Sequence, residues 1–134
     1  MASSPPTPTG STPADRRYSQ THEWHLQEGD TITVGITRFA VDELSDVTYV
    51  DLPAIGKKVG PDKSWGEIES VKATSELYCA AAGEVVAVNT ALKDDPALVN
   101  KDPYGAGWLF KIKAPGADLS TLMTSAQYDQ HHGG

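Results

Sequence analysis

Gly66-Glu67-Ile68-Glu69-Ser70-Val71-Lys72, continued by Ala73-Thr74-Ser75-Glu76-Leu77-Tyr78-Cys79-Ala80-Ala81, is the stretch on which the fold turns. Strand patterns over Trp65–Val71 and Glu76–Ala81 flank a short polar turn, which predicts a β-hairpin with Lys72 at its tip. The segment also has a partner within the chain. It aligns with Gly83-Glu84-Val85-Val86-Ala87-Val88-Asn89 at an offset of 17 residues, sharing Gly, Glu and Val at the first, second and sixth places. A pseudo-two-fold β domain, each half closing in a similar strand and turn, accounts for such a repeat. One turn then presents Lys72, and its counterpart presents only Asn89.

Outward from the hairpin, the same short-strand pattern recurs. His22–Gln27 is a strand, Glu28-Gly29-Asp30 is a turn, and Thr31–Ile36 alternates with Ile32, Val34 and Ile36 on one face. The period then becomes helical at Ile36, Ala40, Leu44 and Val47, with Thr37 as N-cap of a short helix to about Ser45. Val47–Leu52, Gly83–Asn89 and Trp108–Lys113 complete the strands. Asp95-Pro96 reads as an N-cap and first helical residue opening one turn through Val99. Leu119, Leu122, Met123 and Ala126 predict a closing helix over 118–129. Many short strands with few helices mean a mainly β sandwich or barrel-like domain, with helices on its periphery.

Composition narrows the function classes. A chain of 134 residues with 39% hydrophobic residues suits one domain with an adequate core. No run approaches the roughly 20 apolar residues that cross a bilayer. Eighteen acidic against 11 basic residues give a net charge of −7, which disfavours nucleic acid or an anionic membrane and suits basic protein surfaces. The single cysteine, Cys79, excludes an intramolecular disulfide framework and reads as a buried structural thiol. Residues 1–17, rich in Pro, Ser and Thr, read as a disordered arm without a secretory h-region; 18–130 form the domain and 131–134 a frayed tail. His22 and His25 fall on opposite faces of a strand, so they share no metal ion, and His131-His132 lie in the tail. No Ser or Cys has a convincing His partner, which argues against a hydrolase.

Lys72 therefore has two readings from its own surroundings. The plainer one is a solvated hairpin-tip lysine paired with Glu69 or Glu76. The sharper one is a lysine presented for acylation, since a tight turn fixes the backbone and leaves a reachable amine on a long stem.

Glu69-Ser70-Val71-Lys72-Ala73 and Thr74-Ser75-Glu76-Leu77-Tyr78 resemble the lipoylation segment of the glycine cleavage H-protein family. So do, in that family's order, His22-Glu23-Trp24, Val34-Gly35-Ile36-Thr37, Val50-Asp51-Leu52-Pro53, Gly83-Glu84-Val85-Val86, Leu98-Val99-Asn100, Pro103-Tyr104-Gly105 and Gly107-Trp108-Leu109. The resemblance runs from about Tyr18 to Tyr128. It implies a barrel-sandwich hybrid of the biotinyl/lipoyl carrier type with lipoic acid in amide linkage to Lys72. It implies three partners: a pyridoxal-phosphate glycine decarboxylase (P protein), an aminomethyltransferase (T protein) and a dihydrolipoyl dehydrogenase (L protein). Lipoate-attaching enzymes join them, and the chain itself is expected to be a monomeric, non-catalytic carrier; the N-terminal residues, without transit-peptide character, favour a bacterial cytoplasm, with the mitochondrial matrix as the alternative. Residues at the positions of Thr21, Glu23 and Glu76 lie near the loaded arm in the family. Glu76 departs from the aspartate often found there, and Cys79-Ala80 departs from an Ala or Ser followed by Pro.

Other carriers fit less well. Lipoyl domains of 2-oxo acid dehydrogenases lack the His-Glu-Trp and Pro-Tyr-Gly segments, and biotin carriers usually flank their lysine with Met, unlike Val71 and Ala73. An H-like protein that relays lipoate to other proteins shares the fold and the lysine, and stays open at this stage.

Overall fold

The computed structural model describes residues 13–61 and 64–131. Its frame is a hairpin of β2 (Glu23–Glu28) and β3 (Thr31–Ile36), closed by a turn in which Gly29 takes φ +64°. A glycine adopts that left-handed conformation without steric cost. β3 is buried along nearly its whole length because it pairs on its other edge with β9 (Phe110–Lys113). β9 in turn pairs with β8 (Gly83–Val88), and β8 with the short β5 (Lys58–Val59). With β1 (Arg17–Tyr18) on the outer edge of β2, these strands make a six-stranded antiparallel sheet in the order β1-β2-β3-β9-β8-β5.

A second antiparallel sheet of three strands holds the hairpin at its centre and edge. Its order is β4 (Val47–Val50), β6 (Gly66–Ser70), β7 (Thr74–Leu77). The core lies between the sheets, with Ile32, Val34, Ile36, Val85, Phe110 and Ile112 of the larger sheet buried alongside Val50, Ile68 and Leu77 of the smaller. Trp65 meets Phe110 edge-on at 4.5 Å between ring centroids. The two members of the 17-residue repeat thus become β6 and β8, one in each sheet. Asn89, the counterpart of Lys72, is buried and donates to the carbonyls of Ala106 and Trp108.

Helices are short and peripheral, as expected. α1 (Arg38–Leu44) starts at Thr37, whose hydroxyl accepts the N–H of Ala40. Several boundaries differ from the sequence reading, each for a tertiary reason. β7 ends at Leu77 rather than Ala81, because the N–H groups of Tyr78 and Ala80 leave the ladder to meet side chains of β2. An additional helix, α2 (Ala91–Asp94), ends at Asp95, and α3 (Leu98–Lys101) follows it, so Asp95 closes one helix instead of capping the next. The C-terminal helix α4 spans Ser125–His131 rather than 118–129. Leu119 is drawn into the main core, and Met123 forms a β-bridge with Tyr18, so neither is free to join a helix.

Residues 13–17 are also tied down, against the expectation of a disordered arm to residue 17. The Arg16 guanidinium lies over the Trp24 ring at 4.6 Å and donates to the Tyr104 carbonyl, and Arg17 opens β1. Cation–π contact and strand pairing supply what composition alone does not show. Residues 1–12, the remainder of that arm, and 132–134 of the tail lie outside the described residues.

Candidate functional site

The turn between β6 and β7 is built around Ser70. Its hydroxyl oxygen accepts the N–H groups of Lys72 (3.2 Å) and Ala73 (3.0 Å), and its backbone N–H donates to the Ala73 carbonyl at 2.8 Å. A serine side chain that captures the N–H groups two and three residues on fixes a tight turn without a glycine. The Val71 N–H donates to the Asp46 carbonyl, which anchors the turn to the chain entering β4. Lys72 is exposed at the tip, and among the described residues no ion pair joins it to Glu69 or Glu76.

One residue further, Ala73 stands at the edge of a cleft of about 580 Å³. One wall is the turn of Gln20, Thr21 and His22 with α1; the other is β7 with Tyr78. Ile36, Phe39, Leu44, Ile68 and Leu77 make the interior apolar, and the exposed carboxylates of Glu43 and Glu76 stand at its rim. This trough is apolar inside, acidic at the edge and adjacent to a reachable lysine.

Glu23 sits behind the cleft wall, 1% exposed. Its carboxylate accepts the hydroxyls of Ser19 (2.7 Å) and Thr21 and the backbone N–H of Tyr78 at 3.2 Å. Burial raises its pKa from 4.5 to about 7, against the lowering effect of those donors. Near neutral pH the group is therefore poised between carboxylic acid and carboxylate. Glu76 lies elsewhere on the same rim, exposed, 3.2 Å from the Tyr78 hydroxyl, whose pKa it raises by that hydrogen bond. Thr21, Glu23 and Tyr78 thus form one bonded cluster, to which Glu76 is attached through Tyr78.

Two steps along β2, His25 is fully buried, and its Nε2 accepts the Ala80 N–H at 3.0 Å. Burial lowers its pKa to about 4, so the ring is neutral. Glu23 and His25 share one face of β2 and take the backbone donors of Tyr78 and Ala80 in turn. His22, by contrast, precedes the strand at φ +73° and lines the cleft. Among the described residues no group of His, Cys, Asp and Glu is placed to hold a metal ion. Cys79 is buried, donates to the Ala81 carbonyl, and has its thiol pushed up to about 12 by burial. Such a thiol carries negligible thiolate at neutral pH. Sequence reasoning missed Ser19, Tyr78 and Phe39, whose contacts with the site depend on tertiary packing and leave no local motif.

Residues 16–133 match the family model for the glycine cleavage H-protein. The chain belongs to the glycine cleavage H-protein family. A probable glycine cleavage system H protein of Natronomonas pharaonis is 50% identical over 117 residues, 87% of this chain and 93% of that protein. The H protein of Thermus thermophilus is 49% identical over 119 residues, covering 88% and 93%. The crystal structure of a glycine cleavage system H protein from Mycobacterium marinum superposes with a TM-score of 0.83 at 42% identity, covering 91% of this chain and 99% of that one. The two packed sheets are thus the barrel-sandwich fold of lipoyl carriers that the family resemblance implied.

Family members carry lipoate, and this site fits it. The acyl chain and dithiolane are apolar, as is the trough beside Lys72, and an exposed lysine with no ion pair among the described residues keeps its amine available. No helix among the described residues is long and apolar enough to cross a membrane.

Proposed function

We propose that Lys72 carries lipoic acid in amide linkage and that the chain is the mobile carrier of a glycine cleavage system. In this reading it takes an aminomethyl group from the P protein to the T protein and delivers electrons to the L protein. The bound lipoyl group supplies a dithiolane that accepts the aminomethyl unit and two electrons; the chain itself performs no bond chemistry. Its residues position and shield. The Ser70 turn holds the lysine backbone still, and the apolar trough between α1 and β7 excludes water from a docked arm. Glu23, with Thr21 in front of it and Glu76 on the rim, offers negative charge to an amine that is cationic near neutral pH. A bacterial cytoplasmic setting and a monomeric state belong to the same proposal.

The observation that carries the reading is the placement of an exposed, turn-fixed lysine one residue from a trough backed by a buried carboxylate. Reconstitution tests it. The lipoylated chain with P protein, glycine and labelled bicarbonate is expected to exchange label into the glycine carboxyl group. A lipoylated chain that supports no exchange, yet passes lipoate to another acceptor protein, would replace this reading with that of a lipoate relay.

A further inference from the structure

The C-terminal helix reaches the cleft through one side chain. Tyr128 of α4 is buried, stacked on Tyr18 with ring centroids 5.1 Å apart. Its hydroxyl lies 2.7 Å from His22 Nδ1 and 2.7 Å from the Thr37 hydroxyl. His22 ends the turn that makes one part of the cleft wall, and Thr37 is the N-cap of α1, which makes the other part. The backbone joins the two where the Thr37 N–H donates to the His22 carbonyl. The phenol spans the same joint from behind.

Proton bookkeeping gives this contact a direction. The Thr37 hydroxyl is fully buried and already accepts the Ala40 N–H, so its own proton goes to the Tyr128 oxygen. With that orientation the Tyr128 O–H can donate to His22 Nδ1 of a ring that carries its proton on Nε2. Burial raises the pKa of the phenol, so it stays a donor across the working pH range. His22 sits in the left-handed region at φ +73°, a conformation that a non-glycine residue keeps only when its surroundings hold it. Phe39 of α1 packs against the ring, with 4.7 Å between centroids.

We propose that Tyr128 is a positioning residue: its hydroxyl bolts the turn of residues 20–22 to the N-terminus of α1, so that α4 fixes the wall against which the lipoyl arm docks. The inference rests on the carrier reading above. Thr21 and Glu23 flank His22 directly, so loosening this joint shifts the donor and the carboxylate nearest a docked cationic cargo.

The test compares lipoylated wild type, Tyr128→Phe and Tyr18→Phe. Both variants keep the aromatic stack, but the Tyr18 hydroxyl points away to the Pro13 carbonyl. The first readout is the His22 tautomer by nitrogen-15 NMR. Wild type is expected to show a single fixed tautomer, and Tyr128→Phe a mixture. The second is the lifetime of the aminomethyl-loaded arm without T protein, followed by mass spectrometry against the same adduct of free lipoamide. Loss of one ordinary hydrogen bond predicts a lifetime about fivefold shorter in Tyr128→Phe and unchanged in Tyr18→Phe. Equal lifetimes in Tyr128→Phe and wild type, or a mixture of His22 tautomers in wild type, would overturn the positioning role. The tautomer is read in wild type alone, so the inference stays testable if a variant does not fold. A wild-type lifetime no longer than that of free lipoamide would instead sink the docked-arm reading, and the inference with it.

Discussion

Exchanging Glu23 for Gln isolates the electrostatic cost of placing a carboxyl group behind the cleft. In the folded chain its pKa stands at about 7 against an ordinary 4.5, because burial outweighs the donors Ser19, Thr21 and Tyr78 N–H. A carboxyl raised on folding contributes stability that is fully present below pH 4.5 and lost as pH rises through 7, since the unfolded chain ionises first. At about 1.4 kcal/mol per unit of pH, the wild-type chain loses about 3 kcal/mol across that window from this group alone. Gln keeps the shape and does not titrate. Its carbonyl can accept the Tyr78 N–H, while its amide donates to the Ser19 and Thr21 hydroxyls, which rotate to accept. Urea unfolding of both proteins from pH 4.5 to 8.5 reads the difference directly. Glu23→Gln should gain on wild type by about 3 kcal/mol between the ends of the range. A difference that stays constant, or that moves toward wild type as pH rises, would refute the assignment of Glu23 as a strongly desolvated carboxyl.

The other buried titrating group of β2 gives the opposite slope. His25 is held at about 4, so its contribution is present above pH 6.5 and lost as pH falls toward 4; His25→Gln should flatten that acid limb by about 3 kcal/mol, and an unchanged limb would refute it. Ala80→Pro removes the N–H that His25 Nε2 accepts, leaving a buried nitrogen unpaired at a cost of about 1–3 kcal/mol by urea unfolding. The double variant His25→Val/Ala80→Pro should recover most of that loss, and its failure to do so would show that the backbone and not the hydrogen bond resists proline. Cys79 should react with a thiol-labelling reagent at least about 100-fold more slowly in the native than in the unfolded chain, since burial suppresses both access and thiolate; labelling at the unfolded rate would contradict its place in the core.

The parts of the fold legible in the sequence were those set by local pattern. The Thr31–Ile36 alternation, the Thr37 cap and the turn that exposes Lys72 all depend on neighbours within a few residues. The misplaced boundaries share a cause of longer range. β7 stops early because Glu23 and His25, 55 residues before their partners, capture its continuing N–H groups. The helix expected over 118–129 loses its first half to the main core and to a bridge with Tyr18. In the site, Lys72 and Glu76 are exposed, as their hairpin positions imply, but nothing local marks Glu23 as buried. A glutamate in a strand reads as solvated until Ser19, Thr21 and Tyr78 are seen closing over it. The Tyr128 contact with His22 spans 106 residues and has no sequence signature at all.

The central claim is that Lys72 is the tether, and intact-mass measurement of protein from a lipoylating host tests it most directly. The wild-type chain should carry one lipoyl increment, and both Lys72→Ala and Lys72→Arg should carry none, because a guanidinium cannot stand in for the amine. An increment that persists in either variant would contradict the assignment.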